Sequence, residues 1–305
     1  MPDQNSQLME DAKSLIIGAD GKIGALLMRR LAERNHAVLG TTRRADDHGK
    51  YFLDLEDSKT WSGLPVTPVA YFCTGVSSIE HCEQAPEQTF DLNVNRSGDL
   101  AEFLSARGTR LVLISSNRVF DGMSPRVLAD VDTCPVTEYG RQKVEIENRL
   151  LALSDSVILR VSKVLFPDDD LITGWLTTLS SGGEIRAAAD MFVSPVSADL
   201  IVNTLTNLAV SGGRGIYQLS AANDLSYFKV ASFLAELANA DPTLVKAIGR
   251  EELAGRVGSR LDPETFAPRH TTLDVTRLKQ EFGIEAPEAI DTLRLVLGGG
   301  MPLSG

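Results

Sequence analysis

The stretch Ser14-Leu15-Ile16-Ile17-Gly18-Ala19-Asp20-Gly21-Lys22-Ile23-Gly24 constrains this chain more than any other. A short apolar run enters three glycines spaced Gly-x-x-Gly-x-x-Gly, and apolar residues at 23, 26, 27 and 31 follow with helical period. That order reads as strand, tight turn and helix. Gly18 permits the turn, Gly21 lets the backbone come close to a pyrophosphate, and Gly24 lets the helix pack on the strand. The helix N-terminus, with Lys22 and Ile23 in its first turn, offers N–H groups and a positive dipole end to phosphates. Asn35 stops the helix, and Ala37-Val38-Leu39-Gly40-Thr41-Thr42 reads as a second strand. A glycine-rich turn without a nucleotide is the plainer alternative, but the succession of elements favours a dinucleotide.

Further apolar runs set the architecture. Strands near 14–18, 37–42, 51–53, 69–73, 110–115 and 156–161 alternate with helical stretches, the pattern of an α/β Rossmann-type, doubly wound parallel sheet. Runs such as Leu111-Val112-Leu113-Ile114 are apolar throughout, as strands buried on both faces require. The organisation expected is a flexible extension over 1–13 and a dinucleotide-binding domain over 14–166. A smaller, mainly C-terminal substrate lobe spans 167–192 and 220–272, with 193–219 and 273–297 returning to or packing on the first domain. The tail 298–305 is expected to be flexible.

The residues after the second strand bear on the choice of nucleotide. An acid there serves the ribose 2′-hydroxyl of NAD, whereas a 2′-phosphate wants a cation. Here Thr42 is followed by Arg43 and Arg44, which favours NADP and leaves NAD as an option; two solvated loop arginines are the plainer reading. Asp54, with Leu55, follows the third strand and suits an adenine amino group, though an ordinary turn carboxylate fits nearly as well. Cys73, Thr74 and Gly75 stand where the backbone passes the cofactor.

Tyr139 and Lys143 lie at positions i and i+4 of a helical segment, which puts the ammonium beneath the phenol. A free phenol, with a pKa of about 10, is a poor base at neutral pH, and a neighbouring cation favours its phenolate. A serine hydroxyl from an adjacent strand end, Ser116, can hold a substrate oxygen in line. Tyr-x-x-x-Lys alone is a weak signal; its weight comes from the glycine turn.

Taken together, these residues resemble the extended short-chain dehydrogenases/reductases, nearest to the dTDP-4-dehydrorhamnose reductases and their sugar-nucleotide-binding relatives. The resemblance rests on the three glycines, on Ser115-Ser116-Asn117-Arg118-Val119-Phe120-Asp121-Gly122, on Tyr139-Gly140-Arg141-Gln142-Lys143 and on Ser194-Pro195-Val196. Asn93-Val94-Asn95 is similar to the segment that opens a helix after the family's fourth strand, which implies Asn93 as a cofactor neighbour. The resemblance implies Ser116 as the catalytic hydroxyl, Tyr139 as general acid and Lys143 as ribose-binding cation in a reductase of a nucleotide-linked sugar. A nucleotide-sugar epimerase uses the same three residues. The regulatory beta subunit of methionine adenosyltransferase is also similar and binds a dinucleotide, so a non-catalytic partner stays open.

Departures from the family pattern concern the substrate side. Asn117 and Arg118 stand where the rhamnose branch carries an acid and an aromatic residue, and they cannot supply the acidic pair that the similar dehydratase branch requires. Lys163 stands where the reductases commonly carry tryptophan. On an extended chain Arg118 would return to the face of Ser116, so Asn117, Arg118 and Lys163 are expected at the substrate, the two cations selecting an anionic one; a surface role is the alternative. Arg186, Arg250, Arg256, Arg260 and Arg269 are candidates for a diphosphate, and Phe192 and Phe266 for a base.

Composition narrows the partners. A net charge of −11 argues against nucleic acid and anionic membrane surfaces. No apolar run is long enough to span a bilayer, and Cys73, Cys82 and Cys134 suit a reducing compartment, so a cytoplasmic location is expected. The histidines are scattered and no metal is expected. A homodimer stays open.

Overall fold

The computed structural model describes residues 13–47, 49–153, 155–257 and 268–298, the side chains of 256 and 257 excepted. Arg260, Phe266, the side chain of Arg256 and nearly all of the expected terminal extensions therefore lie outside the described residues. The rest divides into two compact units. The first comprises the residues up to Val119, Asp132–Arg160 and Asp199–Tyr217; the second comprises Phe120–Val131, Val161–Ala198 and the residues from Gln218 onward.

In the first unit β1 (Ser14–Ile17) turns into helix α1 (Lys22–Glu33), followed by β2 (Val38–Thr42), β3 (Tyr51–Phe52) and β4 (Val69–Phe72). Two short helices, α2 (Ile79–Gln84) and α3 (Pro86–Phe90), lead through a π-helical stretch over Asp91–Arg96 into α4 (Ser97–Ser105). Then come β5 (Arg110–Ser116), α5 (Glu138–Leu151) and β6 (Ser156–Val161). Strands β1, β2, β3, β4 and β5 pair in parallel, with Ser14 opposite Val38 on one side and Val69 on the other.

Burial explains why these runs are strands. All four residues of β1 and all seven of β5 are buried. Fully burying a Leu, Ile or Val side chain contributes about 1.5–3 kcal/mol, against about 1–2 kcal/mol to fix one residue's backbone. A strand apolar on both faces is therefore held by the layers packed on it. Leu15, Ile17, Leu113 and Ile158 meet Leu100 and Leu104 of α4 and Ile146 and Leu150 of α5 in one core.

The sheet has seven strands, in the order β11-β6-β5-β4-β1-β2-β3. Its edge strand β11 (Gly215–Leu219) is not among the strands expected from the sequence. The reason is local: Ile216, Tyr217 and Leu219 are interrupted by Gln218, so the apolar signal is short, and burial in the sheet supplies what periodicity lacks.

The second unit contains small sheets. Strand β7 (Val164–Leu165) pairs with β10 (Val196–Ser197), β8 (Ile185–Ala188) with β13 (Val245–Ile248), and β9 (Phe192–Val193) with β12 (Leu225–Ser226). Asp169, in the acidic run at 168–170, caps the helix Asp170–Ser180, and Ser226 caps Tyr227–Leu237. Leu165, Ile172, Leu179, Ile185, Val230, Leu234 and Leu293 form a core of their own.

Candidate active site

The turn after β1 is built as the glycine spacing predicts. Gly18 has φ +87°, and a Cβ there would stand 3.0 Å from the Cys73 carbonyl and from Thr74. Its N–H donates to Thr41 Oγ1 at 3.0 Å, which ties the turn to β2. Gly21 caps α1 without contributing a side-chain acceptor, unlike Thr137 at α5. A helix N-terminus of this kind is a favourable place for a ligand's phosphate. A cavity of about 750 Å³ opens beside this turn, within the range of roughly 300–1,000 Å³ typical of small-molecule sites. Gly18, Gly21, Thr42, Arg43, Arg44, Asp54, Leu55, Cys73, Thr74 and Gly75 line it, together with residues that sequence reasoning missed, among them Asp20, Glu56, His81 and Thr89. A sterically required glycine turn, a helix end lacking a side-chain cap and two arginines at the rim fit a dinucleotide.

One carboxylate in this cavity has an unusual setting. Thr42 Oγ1 donates to Asp20 Oδ2 at 2.6 Å, and Lys50 Nζ donates to Asp20 Oδ1 at 2.9 Å and to Asp47 Oδ2 at 2.8 Å. The Thr42 hydroxyl, and then Lys50, hold the Asp20 carboxyl below its ordinary range. Asp54 spends one oxygen on the N–H of Glu56 at 2.9 Å, closing a turn.

The chemical triad comes from β5 and α5. Lys143 Nζ lies 5.8 Å from the centre of the Tyr139 ring and donates to the Ile114 carbonyl at 3.1 Å. Ser116 is at the end of β5, buried, and its Oγ accepts the Arg118 N–H at 3.2 Å. Thr137 caps α5 by accepting the Gly140 N–H at 3.0 Å. A Cβ on Gly140 would stand 2.2 Å from the Arg118 carbonyl, so only glycine lets this first turn pack on the chain leaving Ser116. Gln142, in the same helix and not singled out from the sequence, is buried. It accepts from Asn93 Nδ2 at 2.7 Å and donates to Thr89 Oγ1 at 2.9 Å.

Several expected positions have other surroundings. Asn93 also takes the Val76 N–H on its Oδ1 at 2.7 Å, so its amide braces the loop after β4, and with Thr74 and Lys143 it lines a smaller neighbouring space. Lys22 and Ile23 open α1. The chain after Ser116 is not extended: Asn117, Arg118 and Val119 form a 3-10 turn, so alternation cannot place Arg118 on the face of Ser116. Ser116 Oγ stands 3.4 Å from Asn117 Oδ1. Lys163 pairs with Asp169 at 2.7 Å, within the second unit. Arg186 pairs with Glu184 and Glu252, Arg250 with Asp190, and Phe192 stacks on His270 with centroids 6.4 Å apart. Among the described residues no helix is long and apolar enough to cross a membrane, and no group of three or more His, Cys, Asp or Glu side chains is set to hold a metal.

The cysteines differ sharply in setting. Desolvation pushes the thiol of Cys73, a half-buried residue of the cavity wall, up to about 12 and raises that of buried Cys82, whereas Cys134 is exposed. Thiolate is the reactive form. Iodoacetamide at mildly alkaline pH should therefore label Cys134 at least about tenfold faster than Cys73. Equal rates by peptide mass spectrometry would contradict the burial argument.

Comparison with known proteins adds to this geometry. The model of the RmlD substrate binding domain matches residues 12–298. A probable low-salt glycan biosynthesis reductase of Haloferax volcanii is 26% identical over 294 residues, covering 92% of this chain and 95% of its own. The beta subunit of methionine adenosyltransferase 2 from Xenopus tropicalis is 26% identical over 293 residues, covering 91% and 84%. Among solved structures, dTDP-4-dehydrorhamnose reductase of Bacillus anthracis in complex with NADP superposes with a TM-score of 0.82 at 18% identity, covering 95% of this chain and 100% of that one.

Proposed function

The chain belongs to the RmlD substrate binding domain family, and from that premise we propose that it is an NAD(P)-dependent oxidoreductase reducing a keto group of a nucleotide-linked sugar, with NADP the favoured cofactor. The observation that carries this reading is Lys143 seated beneath Tyr139 with its ammonium on Ile114, two residues before Ser116 on β5. When bound, NADPH would supply the hydride that reduces the carbonyl carbon. Tyr139 donates the proton to the carbonyl oxygen, and Ser116 holds that oxygen in line. Lys143, fixed by its bond to Ile114, stabilises the phenolate left behind and contacts the ribose. The glycine turn and the start of α1 hold the phosphates, with Arg43 and Arg44 toward a 2′-phosphate. The names of the Haloferax and Bacillus relatives, one a glycan biosynthesis reductase and the other a reductase holding NADP, are in line with this assignment.

The expectation of an anionic sugar is not carried forward, because Lys163 has its partner in Asp169 and Arg118 lies on a tight turn. The likeness to the methionine adenosyltransferase beta subunit supports a second reading, a nucleotide-binding partner without turnover. Calorimetry tests the cofactor side: NADP should bind more tightly than NAD. Arg43→Ala should weaken NADP alone by about 1–3 kcal/mol, the worth of a charge-assisted hydrogen bond. Tighter binding of NAD by the unaltered protein would contradict the assignment.

A further inference from the structure

The end of β2 carries no acid, yet a carboxylate stands there. Thr42, the last residue of β2, donates its hydroxyl to Asp20 of the glycine turn, and both line the large cavity with Arg43 and Arg44. A carboxylate at that strand end is the group that recognises a ribose 2′-hydroxyl and repels a 2′-phosphate. Ionised, it offers roughly four acceptor positions. Thr42 takes one and Lys50 another, which leaves acceptor capacity for a ribose hydroxyl. Lys50 is shared with Asp47, its side chain is 22% exposed, and it is not among the residues that line the cavity. The strand end thus presents two opposed signals, arginines that favour a phosphorylated dinucleotide and an acid that favours the unphosphorylated one.

We propose that Asp20 is a specificity-determining residue of the cofactor cavity, accepting the ribose 2′-hydroxyl and thereby limiting the preference for NADP that Arg43 and Arg44 create. Lys50 is its positioning residue, holding the carboxylate and offsetting its charge. This deepens the dinucleotide reading above and rests on it. Asp20 belongs to the choice between two nucleotides, so the ratio of their dissociation constants is the quantity it controls. A general loss of folding or of pocket shape would weaken both nucleotides together and leave that ratio unmoved.

The test is calorimetric titration of NADP and NAD into the full chain and into Asp20→Asn, Lys50→Gln and the double variant, with thermal melting as a check on folding. Asp20→Asn should raise the ratio Kd(NAD)/Kd(NADP) about tenfold, by weakening NAD and strengthening NADP. Lys50→Gln, which leaves the acid uncompensated, should lower the ratio about fivefold. In the Asp20→Asn background the same lysine change should move it by less than about twofold, because Lys50 acts through Asp20. A ratio unchanged in Asp20→Asn would overturn the proposal while leaving the oxidoreductase reading intact. Should Asp20→Asn fail to fold, a ratio unchanged or raised in Lys50→Gln overturns it. An undiminished Lys50→Gln effect in the double variant would show instead that the lysine meets the phosphate itself. Binding of neither nucleotide by the unaltered chain would remove the dinucleotide reading and this inference with it.

Discussion

Tyr139→Phe is expected to lower kcat by about 10²- to 10⁴-fold, the range that a positioned general acid contributes, and to leave the Kd for NADP within about twofold. The asymmetry follows from where each group sits. In the proposed function the phenol is the proton donor, while the phosphates would rest on the turn at Gly18, which has φ +87°, and on the first turn of α1. The proposal gives Lys143 both tasks, so Lys143→Met should damage turnover and nucleotide binding together. Steady-state kinetics beside calorimetry on the same preparations separate the two effects. Unimpaired kcat in Tyr139→Phe on the true substrate would remove the phenol from the chemistry.

Arg160→Met is expected to cost about 3–5 kcal/mol of stability, the penalty for stranding one member of a buried ion pair. The Arg160 and Glu147 side chains are only 3% and 2% exposed, with Nη2 and Oε2 2.7 Å apart and Nε 3.1 Å from both carboxylate oxygens. Ser115 donates its hydroxyl to the same carboxylate, so the pair ties β5, α5 and β6 together directly behind Ser116. Removing the guanidinium leaves a buried carboxylate with too few donors. Replacing both partners, as Glu147→Leu with Arg160→Met, removes that stranded charge and should recover most of the loss. Guanidinium chloride unfolding measures both. A loss under about 1 kcal/mol for Arg160→Met would show the pair to be better solvated than its burial indicates.

The half of the fold that carries the cofactor was legible because its signals are local. Ser14 to Gly24 specifies strand, turn and helix within a few residues, and Leu111 to Ile114 declares a strand buried on both faces. Elements that depend on distant partners were not. Strand β11 becomes a strand because the sheet buries it, and Arg160 lies in an apolar run with nothing nearby to announce Glu147 as its partner. An extended chain would return Arg118 to the face of Ser116, whereas the chain after Ser116 enters a tight turn. Asp20 sits inside the most informative motif of the chain, yet its role depends on Thr42 and Lys50, which only the closed sheet brings to it. Only family resemblance points to Asn93, whose side-chain hydrogen bonds are to Val76 and Gln142.

The proposed hydride transfer between a nicotinamide and a sugar carbonyl, with Tyr139 as the acid, can be followed atom by atom. Its most direct test supplies NADPH deuterated at the transferring position together with a panel of nucleotide-linked keto sugars, dTDP-4-dehydrorhamnose among them, and follows the label by mass spectrometry. One sugar is expected to gain a single deuterium at its former carbonyl carbon with matching oxidation of NADPH, and Tyr139→Phe to abolish the transfer. Tight NADPH binding with no deuterium in any sugar of the panel would contradict it and favour the non-catalytic reading.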